Sequence, residues 1–289
     1  MFELNTPVLF IIFNRPDFTQ LTFDEIRKAR PPKLFVVADG PRSPEESYLC
    51  DQCREIAQNV DWPCTVLTNF SDVNMGCKDR VASGITWALS QTEDVIILED
   101  DCLPDPSFFR FCQELLEKYR FDGRIAMVSG TNYGDKVNNH SYFLTKIGFF
   151  CGWATWKRAW DLYDHNMSDF RDEDCERRLY EDGVLNRKAW TWIFNRTFNE
   201  KINSWGYRWN FSIWKNQKYS LVSNANLIKN IGYDDRASHT RSKSCHLANR
   251  ETESVTFPLS HPPMITDSEV DKKLEHTAFT WWFNEKIYR

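Results

Sequence analysis

The sequence predicts an α/β fold, with a mostly parallel central sheet flanked by helices and followed by an aromatic-rich elaboration. Short apolar segments alternate with amphipathic segments over roughly the first 130 residues, and such alternation implies right-handed crossovers between parallel strands. Val95–Leu98 places four apolar residues in a row, which is typical of a central strand covered on both faces.

Five strands and four helices follow from the apolar periodicity of this first part. The predicted strands are Val8–Phe13, Leu34–Ala38, Cys64–Leu67, Asp94–Leu98 and Ile125–Ser129. The predicted helices are Asp17–Ala29, Pro44–Asn59, Lys78–Leu89 and Phe108–Tyr119. Beyond about residue 140 the alternation stops, and aromatic residues, short helices and loops replace it. The sequence therefore predicts two halves packed on one sheet, 1–135 and 136–289, with a C-terminal tail from about residue 240.

Charge and cysteine usage narrow the class of protein. The net charge is −5, from 36 basic and 41 acidic residues, which argues against nucleic acid as a general partner. Nine cysteines are scattered singly apart from Cys50-x-x-Cys53, so reduced thiols are a simpler interpretation than structural zinc. Pro7–Phe13 lacks the basic leader of a signal peptide, and no stretch approaches the roughly 18 apolar residues of a transmembrane segment. We expect a cytoplasmic protein, either free or peripheral to the inner face of a membrane.

Three consecutive carboxylates, Glu99, Asp100 and Asp101, follow the strand at 94–98. The carboxyl ends of strands are where open α/β sheets build ligand sites. Clustered negative charges need either a compensating cation or full solvation. A divalent ion such as Mn²⁺ or Mg²⁺ holding phosphate oxygens would supply the charge, and a solvated turn is the alternative.

Further polar residues stand near predicted strand ends and helix starts, where parallel strands would bring them to one edge. Asp39 could accept a hydrogen bond from a base or a ribose hydroxyl. The remaining residues, whose basic members could neutralise phosphates, are Asn14, Arg15, Arg42, Lys78 and Arg80. Each alone is commonly a surface residue, but together they favour a nucleotide site. Neither a Gly-x-Gly-x-x-Gly motif nor a phosphate-binding Gly-Lys-Ser/Thr loop is present, which disfavours a dehydrogenase or an ATPase.

These segments, taken in order, resemble the nucleotide-diphospho-sugar transferases with the A-type glycosyltransferase fold, which is Rossmann-like. The segment Leu98–Asp101 with Pro104-Asp105-x-x-Phe108-Phe109 is similar to the Glu-Asp-Asp segment of N-acetylglucosaminyltransferase I. Gly152–Trp156 resembles the bacterial sugar transferases labelled hemolytic-protein-like. The other segments that carry the resemblance are Asn14–Pro16, Asp39-Gly40, Asn74–Lys78, Val128–Gly130, Phe149–Trp153 and Ala237–His239.

The resemblance implies a role for each half and for several residues. The half at 1–135 would bind the nucleotide sugar, and the half at 136–289 would hold the acceptor. Asp101 would ligate Mn²⁺ or Mg²⁺ on the donor diphosphate, while Glu99 and Asp100 would orient it or touch the ribose. Asp39 would contact the base. His239 would be a second metal or pyrophosphate contact, with a surface histidine as the alternative.

The resemblance also implies a catalytic carboxylate just after a tryptophan, where this chain has Trp205-Gly206. The base could come from elsewhere, with Asp172 and Asp174 as candidates, although such residues are commonly ordinary charges at a helix start. The alignment could also be displaced by a few residues, or the protein could bind donor without efficient transfer. Trp153 and Trp156 could stack on an acceptor sugar or simply fill the core.

The sequence thus predicts a metal-dependent hexosyl- or N-acetylhexosaminyltransferase of the inverting type. It would move sugar from a nucleotide-diphosphate sugar, most simply a UDP-sugar, to a glycan, polysaccharide or lipid-linked acceptor, in bacterial polysaccharide biosynthesis. The alternative is a non-catalytic sugar-nucleotide or carbohydrate-binding module. A nucleotidyltransferase is the weaker third option, because it would need a glycine-rich amino-terminal loop that the chain lacks.

Overall fold

The computed structural model describes residues 2–180, 186–233 and 250–286, with the backbone alone for 278–286. The strands are β1 Val8–Ile12, β2 Lys33–Ala38, β3 Thr65–Phe70, β4 Asp94–Glu99, β5 Cys102–Pro104, β6 Ile125–Ser129, β7 Tyr142–Thr145, β8 Trp153–Trp156, β9 Tyr219–Ser223 and β10 Ile228–Asn230. The helices are α1 Pro16–Ala29, α2 Ser47–Gln58, α3 Gly76–Leu89, α4 Ser107–Lys118, α5 Lys157–Trp160, α6 Glu173–Tyr180, α7 Arg187–Phe198, α8 Trp205–Lys215 and α9 Ser268–Lys286. A 3₁₀ turn at Pro44–Glu46 precedes α2.

The central sheet has the strand order β3-β2-β1-β4-β8-β6-β9-β7. Among these strands only β8 and β7 run against the rest, since β8 pairs antiparallel with both β4 and β6, and β7 pairs antiparallel with β9. The predicted fold class, a mostly parallel sheet flanked by helices, is confirmed.

The register of the parallel strands brings their carboxyl ends to one edge. Ile12 lies opposite Ala38 in the pairing of β1 with β2, and Ile11 lies opposite Glu99 in the pairing of β1 with β4. The segments that follow β1, β2 and β4 therefore leave the sheet side by side. Residues of β1 and β6 are all buried, as expected for strands covered on both faces.

The second half of the chain adds β7, β8 and β9 to the sheet that the first half begins. It also packs an aromatic cluster from α5, α7 and α8, in which Trp160, Trp190, Trp209 and Trp214 are buried. The division at residue 135 stays a prediction. Within the described residues, no helix is both long enough and apolar enough to span a bilayer.

A two-stranded sheet pairs β10 with β5, with Asn230 opposite Cys102 and Ile228 opposite Pro104. The sequence analysis did not predict this pairing, because three-residue strands give almost no periodic signal. Its consequence is that the chain after Asn230 passes directly over the residues that precede Cys102.

Candidate active site

The acidic segment, Glu99 to Asp101, lies where β4 leaves the sheet. Glu99 is the last residue of the strand, and Asp100 and Asp101 form the turn before β5. The hydroxyl of Thr22 on α1 donates to the backbone carbonyl of Asp100 at 2.8 Å, which fixes the turn. The Asp101 side chain keeps 19% of its surface exposed, so it is accessible to a ligand.

Arg15, which follows β1, is the cation of the described residues that faces this segment. Its Nη2 lies 3.0 Å from Asp101 Oδ2 and also donates to Asp100 Oδ1, while its Nε donates to Asp100 Oδ2 at 3.3 Å. Burial alone would lower the pKa of Arg15, but its contacts with the two aspartates raise it above the usual value. The sequence analysis assigned Arg15 to a phosphate, and in the structure its donors bind the acidic segment.

The carboxylates nevertheless outnumber the cation that faces them. Burial, together with repulsion from Asp101 and Asp100, raises the pKa of Glu99 to about 8. Burial raises the pKa of Asp100 to about 6, although Arg15 opposes the shift. No hydrogen bond from the described residues stabilises the charged form of Glu99. An added cation would relieve this repulsion.

The residues present fit a divalent ion held largely by its substrate. No group of three metal-ligating side chains lies together in the described part of the chain, so these residues alone do not build a closed metal site. Mg²⁺-type ions are commonly bound by one or two carboxylates plus substrate phosphates. Asp101 and Glu99 are the carboxylates that would serve. His239, the other predicted metal ligand, lies outside the described residues.

Asp39, at the end of β2, holds the loop before α3. Its Oδ1 accepts the backbone N–H groups of Gly40 (2.9 Å) and Met75 (2.8 Å), and its Oδ2 accepts those of Gly76 (2.9 Å) and Asn74 Nδ2 (3.1 Å). Four hydrogen bonds fill the acceptor capacity of a carboxylate. Asp39 therefore shapes the edge of the site, and direct contact with a nucleotide base stays a prediction.

The other predicted donor-binding residues have different surroundings. Asn14 and Arg42 both contact Glu46, and Arg42 remains mostly exposed. Lys78, in the first turn of α3, pairs with Glu200 at 3.1 Å. The structure thus brings Asn14, Arg15 and Asp39 to the predicted edge, and Lys78 to the start of the neighbouring helix.

The structure corrects the prediction for Arg80. This residue is buried and donates to the backbone carbonyls of Ala38 and Asn69 and to the Asn69 side chain. Its guanidinium holds the ends of β2 and β3 together, which leaves it unavailable to a phosphate.

Trp153 and Trp156 are also corrected. They are only 1% and 2% exposed, so a ring that stacks on an acceptor sugar is not available at either position. Positions 153 and 156 of a strand point to opposite faces, and both faces are covered because all four residues of β8 are buried. Trp153 stacks on Trp205 with ring centroids 5.6 Å apart, so the core interpretation holds.

At the position where the resemblance implies a catalytic base, the structure has a glycine packed against an aromatic ring. Gly206, in the first turn of α8, faces the ring of Phe150, and a Cβ there would come within 2.8 Å of a ring carbon. A carboxylate at this position would have no room. Asp172 caps α6 by accepting the N–H groups of Asp174 and Cys175, and Asp174 pairs with Arg177 at the surface. None of these contacts links Asp172 or Asp174 to the acidic segment, and their catalytic role stays a prediction.

Sequence reasoning missed the residues that cover the acidic segment. The N–H of Ile231 donates to the Asp101 carbonyl at 2.9 Å, and Gly232 lies so close that a Cβ would overlap the Asp101 carboxylate. A glycine after a short polar segment was the only available signal, and it does not identify the partner 131 positions away.

A cavity of about 500 Å³ lies along α3 and includes Met75, Asp79, Trp87, Tyr163 and His165 in its walls. It touches the loop held by Asp39 through Met75, but no residue of the acidic segment lines it. We place the candidate active site at the acidic segment, because charge and hydrogen bonding converge there rather than in the cavity.

No protein-family description and no curated protein matches the sequence. The chain is similar to three solved structures, and their alignments are weak. A mannosyltransferase from Pyrobaculum calidifontis, in complex with GDP-Man and Mn²⁺, has 12% identity and a TM-score of 0.39 over 75% of this chain and 70% of that one. A UDP-glucose pyrophosphorylase complexed with UDP-glucose has 10% identity and a TM-score of 0.35 over 55% and 78%.

The third structure is a 4-diphosphocytidyl-2C-methyl-D-erythritol synthase from Anaerococcus prevotii, with 12% identity and a TM-score of 0.35 over 58% of this chain and 77% of that one. All three are nucleotide-handling enzymes by their names. At TM-scores below 0.5 these similarities decide neither the fold nor the function of this chain, which are argued from its own strand order and site.

Proposed function

We propose that this protein is a metal-dependent glycosyltransferase that moves a sugar from a nucleotide-diphosphate sugar to a glycan acceptor. The observation that carries the proposal is the surplus of negative charge at the carboxyl end of β4. Among the described residues, three carboxylates lie there with one guanidinium, and burial raises the pKa of Glu99 to about 8. Such a site favours a divalent cation, and a diphosphate is the ligand that brings further oxygens to that cation.

In this reaction an acceptor hydroxyl forms a bond to the anomeric carbon while the bond to the diphosphate breaks. A bound Mn²⁺ or Mg²⁺ would neutralise charge on the departing diphosphate. Arg15 holds Asp100 and Asp101 in position through its hydrogen bonds, and Glu99 lies close enough to Asp101 for their charges to repel. Asp39 fixes the loop beside this edge, and a base must take the proton of the hydroxyl.

Several finer points belong to the proposal. The donor is a UDP-sugar, the acceptor is a polysaccharide or lipid-linked sugar, and the reaction inverts configuration with Asp172 or Asp174 as base. Bacterial origin and a cytoplasmic location, free or at the membrane face, complete it. The donor, the acceptor, the inversion and the bacterial origin rest on the sequence resemblance, whereas the location rests on cysteine usage and Asp172 and Asp174 on the carboxylates that the second half offers.

The test is substitution of Asp101 by asparagine, which keeps the size of the side chain and removes its charge. We expect Asp101→Asn to keep the fold, to lose the thermal stabilisation that UDP with Mn²⁺ gives the unmodified protein, and to lose turnover of a panel of nucleotide sugars. Asp51→Asn on α2, an exposed aspartate, is the matched control. Full turnover by Asp101→Asn, or by the unmodified protein in excess chelator, would contradict the metal assignment.

A non-catalytic sugar-nucleotide module is a second candidate, which the packing of Gly206 against Phe150 favours. The described residues show no carboxylate at the position where the resemblance implies a base. Donor hydrolysis distinguishes the two functions: a module would bind UDP with Mn²⁺ yet release no free sugar and transfer none to any acceptor.

A further inference from the structure

Two thiols lie against each other directly beside the acidic segment. Cys102 Sγ and Cys151 Sγ are 2.9 Å apart, although 49 positions separate the residues in sequence. A disulfide bond is about 2.05 Å long, so less than about 1 Å of movement would bring the sulfurs to bonding distance. No other pair of cysteine sulfurs in the described residues is in such contact.

The backbone on each side holds these thiols together. Cys102 begins β5 and lies opposite Asn230 of β10. The carbonyl of Cys151 accepts the hydroxyl of Thr131, and the next residue, Gly152, accepts the N–H of Gly130 at 3.0 Å. Both cysteines are buried, at 1% and 8% exposure, so neither is free to turn towards another partner.

We propose that Cys102 and Cys151 are a redox-active pair that forms a disulfide in the folded protein when it meets hydrogen peroxide. One sulfur attacks the peroxide, the O–O bond breaks, and a sulfenic acid and one water form. The second thiol then attacks the sulfenic sulfur, the S–S bond forms, and a second water leaves. Each thiol gives up its proton, and the two electrons reduce one peroxide to two waters.

The disulfide would change the surroundings of Asp101. In the reduced protein the Cys102 thiol lies 3.5 Å from Asp101 Oδ1, and oxidation removes its S–H donor. The new bond would also tie the start of β5 to the residue before β8, and so close a loop of about 50 residues, which restricts the unfolded chain. The oxidised protein is therefore more resistant to heat than the reduced protein.

The experiment treats the full folded chain with hydrogen peroxide and maps the products by mass spectrometry after alkylation of the remaining thiols. Both thiols are buried, so peroxide reaches them slowly and the reaction is followed over hours. We expect a loss of about 2 Da, a linked peptide pair containing Cys102 and Cys151, and a rise in Tm of several degrees that dithiothreitol reverses.

Cys102→Ala and Cys151→Ala should each abolish the linked peptide and the rise in Tm, whereas the double variant Cys50→Ala/Cys53→Ala should keep both. Peptide mapping of the unmodified chain decides the question even where a variant fails to fold. Peroxide that leaves both thiols alkylatable, or that links either of them to another cysteine, would overturn the proposal. No sugar nucleotide enters the assay, so its result is independent of the proposed function.

Discussion

A Cβ atom at Gly232 would overlap the carboxylate of Asp101. This approach follows from the pairing of β10 with β5, which carries the chain over the acidic segment. Arg15 contacts the same carboxylate from the end of β1. The position of Asp101 is therefore set by two segments that are far from it in sequence.

Substitution of Gly232 by alanine tests this relationship. The added methyl group must displace the Asp101 carboxylate, since the backbone of the neighbouring Ile231 is hydrogen-bonded to Asp101. We expect Gly232→Ala to weaken binding of UDP with Mn²⁺ by about tenfold or more, equivalent to about 1.4 kcal/mol, measured by calorimetry. Gly123→Ala is the control, because a Cβ there has open space around it. Equal affinity in the two variants would show that the site does not depend on the position of Asp101.

The raised pKa of Glu99 predicts how stability varies with pH. Between its usual value of 4.5 and about 8 the native state binds more protons at this group than the unfolded state, so its contribution to stability falls as pH rises through this window. Glu99→Gln removes the effect. We expect the variant to gain about 1–3 kcal/mol over the unmodified protein between pH 5 and pH 8, measured by denaturant unfolding without metal.

Glu55→Gln, an exposed change on α2, should show no such gain. Addition of Mn²⁺ at pH 8 should stabilise the unmodified protein more than Glu99→Gln, because the cation takes up the charge that the substitution removes. If the difference in the free energy of unfolding between the two proteins were the same at pH 5 and pH 8, the pKa of Glu99 would not be raised.

The four hydrogen bonds of Asp39 predict a structural as well as a binding effect. Asp39→Ala leaves the N–H groups of Met75 and Gly76 without their acceptor, and unpaired donors of this kind cost about 1–3 kcal/mol. We expect a lower Tm and faster amide exchange at residues 74–76. Asp72→Ala, an exposed change in the same loop, should leave both unaltered. An Asp39→Ala variant with native exchange in this loop but lost nucleotide affinity would indicate direct base contact instead.

The strand ends could be predicted from the sequence because parallel strands in register must end together. Arg15 and Asp39 follow β1 and β2, and Glu99 ends β4; the pairings of Ile12 with Ala38 and of Ile11 with Glu99 show that these strand ends reach one edge. Apolar periodicity locates such strands, and topology then brings their ends together without knowledge of side-chain packing.

The partners of individual side chains could not be predicted in this way. Arg15 contacts Asp100 across 85 positions, and nothing local distinguishes this arginine from one that binds phosphate. Trp153 and Trp156 lie on β8, which pairs with β4 and β6 inside the sheet and is buried along its whole length. The position of β8 in the sheet depends on long-range pairing, and the periodicity of the sequence carries no information about such pairing.

The burial of Trp153 predicts a stability effect without a specific effect on the acceptor. Trp153→Ala removes a ring stacked on Trp205 inside the core, and substitutions of this kind cost about 3–5 kcal/mol. We expect a large drop in the free energy of unfolding. Trp192→Ala, at a position that is 41% exposed, should cost less than about 1 kcal/mol. A stable Trp153→Ala protein with a raised KM for acceptor would instead place this ring in the acceptor site.

The contacts of Glu275 predict that this residue holds the last helix, α9, against α7. Its carboxylate, 5% exposed, accepts the N–H of Asn186 at 2.9 Å and the indole N–H of Trp190 at 2.5 Å, which joins α9 to the start of α7. Glu275→Ala removes the acceptor that both donors share, so we expect a loss of about 2–4 kcal/mol and faster amide exchange at Asn186. Glu269→Ala, an exposed change on the same helix, should alter neither.

Burial raises the pKa of Glu275 to about 7, although the two N–H donors oppose the shift. The native state therefore binds the extra proton between about pH 4.5 and pH 7, and the contribution of this group to stability falls as pH rises through that window. Glu275→Gln keeps an acceptor oxygen and cannot ionise, so its free energy of unfolding should improve relative to the unmodified protein from pH 5 to pH 8. A constant difference between the two proteins over this range, measured by urea unfolding, would mean that Glu275 titrates normally.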